Sequence, residues 1–426
     1  MIDTIIIFIF VIGYLAIALE HKIGINKTAT ALLIGVSCWV LVAAKGCYEG
    51  NIDCGTAETL QSLGEHFQNT AQLLVFLMGA MAIVQLMDSH NGFKVITDCI
   101  KTSNKRKLLW VISFITFFLS SVLDNLTTTI VMVSSLRRLM DKGDDRMIFA
   151  SMIIIAANAG GAWTPIGDVT TTMLWIGGRI TTARIMTALF IPSIVSLVIP
   201  LLYFSFLMKK EIVSVPIQQE SQVEVYGTKR IFFLGLGSLI FVPIFRAITN
   251  MPPFMGMILG LGVMWVLTDL MHRQREHLRV PHILSKIDFT SILFFLGILL
   301  AVAALETVGI LKNLALGMDQ YFRNKDVIIT IMGLLSAIID NVPLTAAAMG
   351  MYDLSLYPVD SKLWEFIAYA VGTGGSILII GSAAGVVAMG MEKINFTWYL
   401  RKISLPAFIG YFAGIFSYLA IYQIMP

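Results

Sequence analysis

The sequence predicts an all-α polytopic membrane protein built from two inverted-topology repeats, each with five membrane crossings, one of them broken, and one re-entrant helical hairpin. Three observations carry this. Of the 426 residues, 57% are hydrophobic and only 13% charged, and the apolar residues gather in separate runs long enough to span a hydrocarbon core, more than a soluble interior hides. An Asp-Asn pair with threonine close behind it interrupts such a run twice, at Asp124-Asn125 and at Asp340-Asn341. The order of runs around the first interruption then repeats around the second.

In chain order, apolar runs at roughly 4–20, 28–45 and 72–89 supply three crossings. The first is preceded by no basic stretch and followed by no small-residue cleavage site, so it is expected to remain as a helix. Two apolar arms follow at 107–119 and 130–139. Each is about half the ~20 residues a spanning helix needs, so together they read as a hairpin with a polar tip. Such a tip has to lie in protein or water, because lipid cannot satisfy its freed backbone groups. A segment at 147–178 interrupted by glycine and proline, and a run at 186–208, complete the first half. The pattern restarts with runs at 231–248, 254–271 and 289–306, a hairpin at 327–350, an interrupted segment at 364–390 and a last run at 405–425. The expected domains are a first repeat, 1–209 (scaffold helices 1–106, hairpin and broken helix 107–209), a cytoplasmic linker, 210–230, and a second repeat, 231–426 (scaffold 231–325, hairpin and broken helix 326–426). An odd number of crossings per repeat inverts the second against the first.

Positive charge fixes the sides. Loops placed in the cytoplasm hold Lys105-Arg106-Lys107, Arg137, Arg138, Lys142, Arg146, Lys229, Arg230, Arg279, Lys286, Arg401 and Lys402, whereas the other face carries acidic stretches at 49–65 and 353–360. Both termini are therefore expected outside, and the two hairpin tips approach the midplane from opposite sides. The basic residues report topology rather than nucleic-acid binding. No Walker loop, no Gly-x-Gly-x-x-Gly after a strand and no paired-cysteine or His-Glu-x-x-His metal motif occurs, so no nucleotide and no resident cofactor is expected.

Each hairpin is followed by a break that no helix runs through. The first reads Asn158-Ala159-Gly160-Gly161-Ala162-Trp163-Thr164-Pro165-Ile166-Gly167-Asp168 and the second Gly372-Thr373-Gly374-Gly375-Ser376-Ile377-Leu378-Ile379-Ile380-Gly381-Ser382. Proline lacks a donor and glycine weakens the ladder, which frees carbonyls at membrane depth. Gly374-Gly375 matches Gly160-Gly161 and Gly381-Ser382 matches Gly167-Asp168, so Asp168 departs from the internal symmetry. Asp124, Asp168 and Asp340 lie in or beside the breaks together with Asn125, Thr127, Thr128, Asn158, Thr164, Asn341, Thr345, Thr373 and Ser376, and no lysine or arginine lies there. Hard oxygen donors without His or Cys suit a hard cation, and buried neighbouring carboxylates exchange that cation for a proton. Sodium, lithium and protons are the candidate ions. The plainer readings are that each Asp caps a helix and that each Ser or Thr bonds back to its own helix. Asp88 and Glu306, near matching ends of the third helix in each half, read as interfacial or as coupling residues. Cys47 and Cys54 share the first external loop, where a disulfide and two free thiols are both open.

The hairpin tips Leu123-Asp124-Asn125-Leu126-Thr127-Thr128 and Ile339-Asp340-Asn341-Val342-Pro343-Leu344-Thr345, with the break from Ala157 through Asp168 to Thr171, resemble the ion transporter superfamily, and within it the NhaD-type sodium/proton antiporters. The resemblance covers nearly the whole chain. It implies a membrane-embedded homodimer in a bacterial inner membrane, with the first three helices of each half as scaffold and the hairpins and broken helices as a mobile unit that moves elevator-fashion. Dicarboxylate carriers of the superfamily have Ser-Asn-Thr at their hairpin tips, and the aspartates here depart from that. The function expected is exchange of sodium or lithium for protons by alternating access; sodium-coupled uptake of a small neutral or anionic solute is the alternative. A passive channel needs a continuous lined pore, which two opposed hairpins do not provide.

Overall fold

The computed structural model describes residues 2–18, 20–48, 57–98, 100, 102, 104–208, 227–272 and 278–424. Most of linker 210–230, Cys54, Asp53 and the side chain of Cys47 lie outside the described residues. Every regular element among those described is α-helical.

Seven of the described helices are long and apolar enough to cross a membrane. In the first half they are Lys27–Tyr48, Ala57–Ser89 and Thr182–Leu207, and in the second Thr228–Thr249, Pro253–Met271, Phe289–Thr307 and Ser404–Ile424. Helix Ile2–Ala18 is apolar but only 17 residues long, about 25 Å at 1.5 Å per residue, a little short of the ~30 Å hydrocarbon thickness. Between these lie the interrupted elements. The first hairpin is Lys105–Ser120 and Asn125–Leu139, and the second is Lys325–Leu335 and Asn341–Met351. The broken helices are Asp144–Gly161 with Val169–Ile176, and Lys362–Gly374 with Ala383–Glu392.

Two sequence boundaries move. Helix Ala57–Ser89 begins within the stretch expected as an external acidic loop, because Glu58, Gln61 and Glu65 are good enough helix surface residues to extend the apolar run outward. An unexpected helix, Ile310–Phe322, separates the third helix of the second half from its hairpin. It buries Leu311 and Ala315 and leaves Leu314, Leu316 and Tyr321 exposed, the pattern of a helix lying along a surface.

The packing of the halves is reciprocal. Lys27–Tyr48 runs along Phe289–Thr307 in the same direction, Thr28 Oγ1 donating to the Thr290 carbonyl at 3.1 Å and Trp39 Nε1 to the Leu300 carbonyl at 2.9 Å. Pro253–Met271 runs along Ala57–Ser89 likewise, with Met257 beside Gly79 and with Met264 and Met87 both beside Gly235. The last helices of the halves pack antiparallel: Gly410 meets Ser196 and Pro200, and Gly414 meets the Pro192 carbonyl. Within each half, the first hairpin arm lies directly on the broken helix. Gly160 approaches the Phe117 carbonyl and Gly374 the Gly333 carbonyl so closely that a Cβ at either would collide with backbone. These two glycines are equivalent in the internal repeat, and they draw each hairpin tip against its break.

Candidate functional site

Four interruptions meet at the centre. Each joins the C-terminal end of one helix to the N-terminal end of the next, so freed carbonyls and helix N-termini converge on one volume. Asp124, Asp168, Asp340 and Ser382 are the N-cap residues of the four returning helices. Capping and placement at the centre therefore coexist in the same residues.

On the first-half side, Asp124 accepts from the Thr127 amide at 2.8 Å and from the Thr127 hydroxyl at 2.5 Å. Asp168 accepts from the Thr170 amide at 2.9 Å through Oδ1, while its Oδ2 accepts from Asn125 Nδ2 at 2.9 Å. The same Asn125 amide donates to Asn158 Oδ1 at 3.0 Å, and Asn158 Nδ2 donates to Ser382 Oγ at 3.0 Å. Asn125, Asn158, Asp168 and Ser382 are all buried. The chain Asp168–Asn125–Asn158–Ser382 thus crosses from one half to the other.

The crossing has a symmetry that the sequence registers only in part. In the alignment of the breaks Asn158 corresponds to Gly372 and Asp168 to Ser382. Asn158 reaches Ser382, and reciprocally Gly372 faces Asp168: a Cβ built at Gly372 would stand 3.5 Å from Ala162 Cβ and 3.9 Å from Asp168 Oδ2, both ordinary van der Waals contacts. The polar pair is present on one side of the pseudo-axis and reduced to glycine and serine on the other. Asp124 and Asp340 are both within electrostatic reach of Asp168. The three carboxylates nevertheless belong to separate caps, and among the described residues no group of three or more His, Cys, Asp and Glu is placed to hold a metal ion. A cation bound here takes carbonyl, amide and hydroxyl oxygens alongside single carboxylates.

On the second-half side, Asp340 receives the Val342 amide at 3.3 Å, a longer bond than those at Asp124. With its amide nitrogen turned toward acceptors, Asn341 donates to the Gly381 carbonyl at 3.2 Å and the Val371 carbonyl at 3.3 Å. Ser336 and Ser120 do matching work, donating to the carbonyls of Val371 at 2.8 Å and Ala157 at 2.6 Å. Those serines tie each hairpin to its broken helix, and neither was singled out in the sequence.

Several expected ligands have their hydroxyls engaged by the main chain. Thr164 donates to the Ser121 carbonyl at 2.6 Å, Thr345 to Asn341 at 3.0 Å, Thr373 to Tyr369 at 2.7 Å and Ser376 to Thr373 at 2.7 Å. Thr164 holds the break to the hairpin tip, and the other three bond back within their own segments. Thr128 is buried with no hydrogen bond to its hydroxyl among the described residues, and so is Thr129. By register, Thr129 and not Thr128 is the counterpart of Thr345. Asp88 and Glu306 lie away from the centre, within electrostatic reach of Arg138 and Arg179 respectively.

The family pattern described as citrate transporter (CitMHS) matches residues 7–372. The chain belongs to the citrate transporter family, with NhaD-type sodium/proton antiporters among its relatives. Sodium/proton antiporter 2 of Arabidopsis thaliana is 49% identical over 423 residues, covering 97% of this chain and 99% of the relative. The NhaD antiporter of Alkalimonas amylolytica is 30% identical over 441 residues, 96% of this chain and 88% of its own. That of Vibrio cholerae is 28% identical over 450 residues, 96% and 90%. Family and relatives are transporters and not enzymes, and the resemblance in the hairpins and breaks extends to nearly the whole length.

The Asn158–Ser382 bond links the halves directly at the centre. In a double-mutant cycle, Asn158→Ala and Ser382→Ala are expected to show a coupling of about 0.5–3 kcal/mol in the thermal stability of the purified protein. Strict additivity of the two would mean that the bond holds nothing together.

Proposed function

We propose that the chain exchanges sodium or lithium for protons across a membrane by alternating access, with Asp124, Asp168 and Asp340 taking cation or proton in turn. The observation that carries this is Asp168: a buried carboxylate, off the internal symmetry, bound by amide donors and by no lysine or arginine, at the junction of both halves. A buried carboxylate with no cationic partner is stable only when neutral or when a cation joins it. Those are the two loaded states an antiporter requires. The names of the relatives support sodium and proton as the ions.

The inverted relation of the halves belongs to the same proposal. It is supported by the antiparallel packing of the last helices and by the reciprocal pairing of second with third helices. A re-entrant course for the hairpins is supported by arms of 16, 15, 11 and 11 residues, each too short to cross. An elevator-type movement of the hairpins and broken helices, in a homodimer, rests on the resemblance to the antiporters. The bacterial relatives support an inner membrane, while the more similar Arabidopsis relatives support a plant membrane; the origin of the chain decides between them. The name of the family favours a second reading, sodium-coupled uptake of a small solute such as a carboxylate. The lack of any lysine or arginine in the breaks weighs against an anionic one.

Proteoliposomes separate these. Sodium alone, added outside, drives proton movement if the protein is an antiporter, whereas a symporter stays silent until a solute is supplied. Asp168→Asn, Asp124→Asn and Asp340→Asn are each expected to abolish or severely reduce that exchange while inserting normally. Wild-type rates in all three would reduce the carboxylates to caps. For topology, Lys142→Cys and Ser355→Cys in the two hairpin-following loops are expected to react with an impermeant maleimide from opposite sides, and labelling from one side would contradict the inverted arrangement.

A further inference from the structure

Helix Val169–Ile176 has only eight residues, so it cannot hold its own direction; a single short segment depends on what grips its two ends. Its N-terminal grip is the central network through Asp168. At the C-terminal end, Met173 and Leu174 carbonyls receive the amides of Gly177 and Arg179, both local bonds of the turn. The Trp175 carbonyl receives, besides the Gly178 amide at 3.2 Å, Nη1 of Arg246 at 2.6 Å. The same guanidinium lies 4.6 Å from the centroid of the Trp175 ring, which is itself buried and packs edge-on against Phe76. A cation at the carbonyl end of a helix is favourable, and stacking on tryptophan orients it.

The other half-helix offers a comparison. Ala383–Glu392 also ends on an arginine, Arg137, which donates to the Met391 carbonyl and bonds Glu392 at 2.7 Å, where Arg146 joins from the other side. Arg137 and Arg146 sit on the first hairpin and on the broken helix behind it, so that end is gripped from within the group of interrupted elements. Arg246 sits instead on Thr228–Thr249, which packs on Pro253–Met271 and Ala57–Ser89. The half-helix bearing Asp168 is therefore gripped by an element outside that group as well as by the second hairpin, where Arg179 Nη2 donates to the Met349 carbonyl at 3.4 Å, whereas the hydrogen bonds described at the end of the half-helix bearing Ser382 come from within the group.

We infer that Arg246 is a positioning residue for cation binding: in this conformation it holds the Trp175 end of the half-helix against the surrounding frame and so sets where Asp168 stands relative to Asn125, a grip that the proposed movement of the interrupted elements releases. It does not touch the ion. The inference rests on the reading of Asp168 as a cation ligand. A purely structural arginine would, when removed, lower the amount of active protein and leave the apparent sodium KM unchanged. A positioning arginine shifts KM.

The test is sodium-driven proton movement in proteoliposomes, with rates normalised to reconstituted protein, for Arg246→Ala, Arg246→Lys and Asp168→Asn. Arg246→Ala is expected to raise the apparent sodium KM about two- to thirtyfold, the range for residues that act through a packed element, while Arg246→Lys, which keeps the charge and reaches one carbonyl, falls between it and the wild type. An unchanged KM in Arg246→Ala, whatever the maximal rate, overturns the inference. Should that variant fail to insert, an unchanged KM in Arg246→Lys overturns it instead. If Asp168→Asn exchanges like the wild type, the underlying reading of the site fails; if it is inactive and Arg246→Ala has wild-type KM, only the role of Arg246 fails.

Discussion

The structure depends on one constraint: a helix broken inside a membrane has to find partners for its freed polar groups within the protein. Four breaks in this chain, each isolated, would leave carbonyls, amides and three carboxylates facing lipid. Placed together, they satisfy one another. Ser120 and Ser336 close each hairpin onto its broken helix, Asn125 and Asn341 bind across the tips, and Asn158 joins the halves through Ser382. The glycines at 160 and 374 are what allow the backbones to come near enough for this to occur.

That convergence creates a site with a definite chemistry. Helix N-termini steady the carboxylates, helix C-termini offer carbonyl oxygens, and no lysine or arginine lies in the broken stretches. Full internal symmetry would give two equal polar corners. Instead Asp168 and Asn158 stand on one side while Gly372 and Ser382 stand on the other. Opposite Asp168 Oδ2 the second half therefore presents only the backbone of Gly372. On the proposed reading, this buried carboxylate without a cationic partner is where proton and cation compete.

Much of this was legible in the sequence because lipid makes exceptions conspicuous. Asp124 and Asp340 stand out inside apolar runs, and Pro165 with its neighbouring glycines marks a break no helix tolerates, so the interrupted elements fall close to the expected positions. What was hidden depends on three-dimensional contact. Ser382 gives no sign by itself that it meets Asn158, since serine in an apolar helix is ordinary. Thr345, Thr373 and Ser376 read as ligands by proximity; their hydroxyls donate back to nearby carbonyls, a geometry that spacing does not reveal and that leaves their oxygen lone pairs as acceptors. The extension of Ala57–Ser89 beyond its apolar run was missed because a polar helix and a polar loop have similar composition. Arg246 belongs to none of the sequence motifs, and only the fold places its guanidinium on the Trp175 carbonyl.

The central claim is that sodium and protons occupy the same carboxylates and so exclude each other. By linkage, lowering the pH then weakens apparent sodium affinity, and adding sodium releases protons. The direct measurement is proton release from the detergent-solubilised protein on adding sodium, recorded from acid to alkaline pH beside the apparent sodium affinity. The account predicts release on adding sodium wherever the carboxylates carry protons, absent in Asp168→Asn, with apparent affinity rising as the pH rises. A flat affinity with no proton released at any pH would show that the two ions do not share these carboxylates, and the exchange mechanism would be wrong.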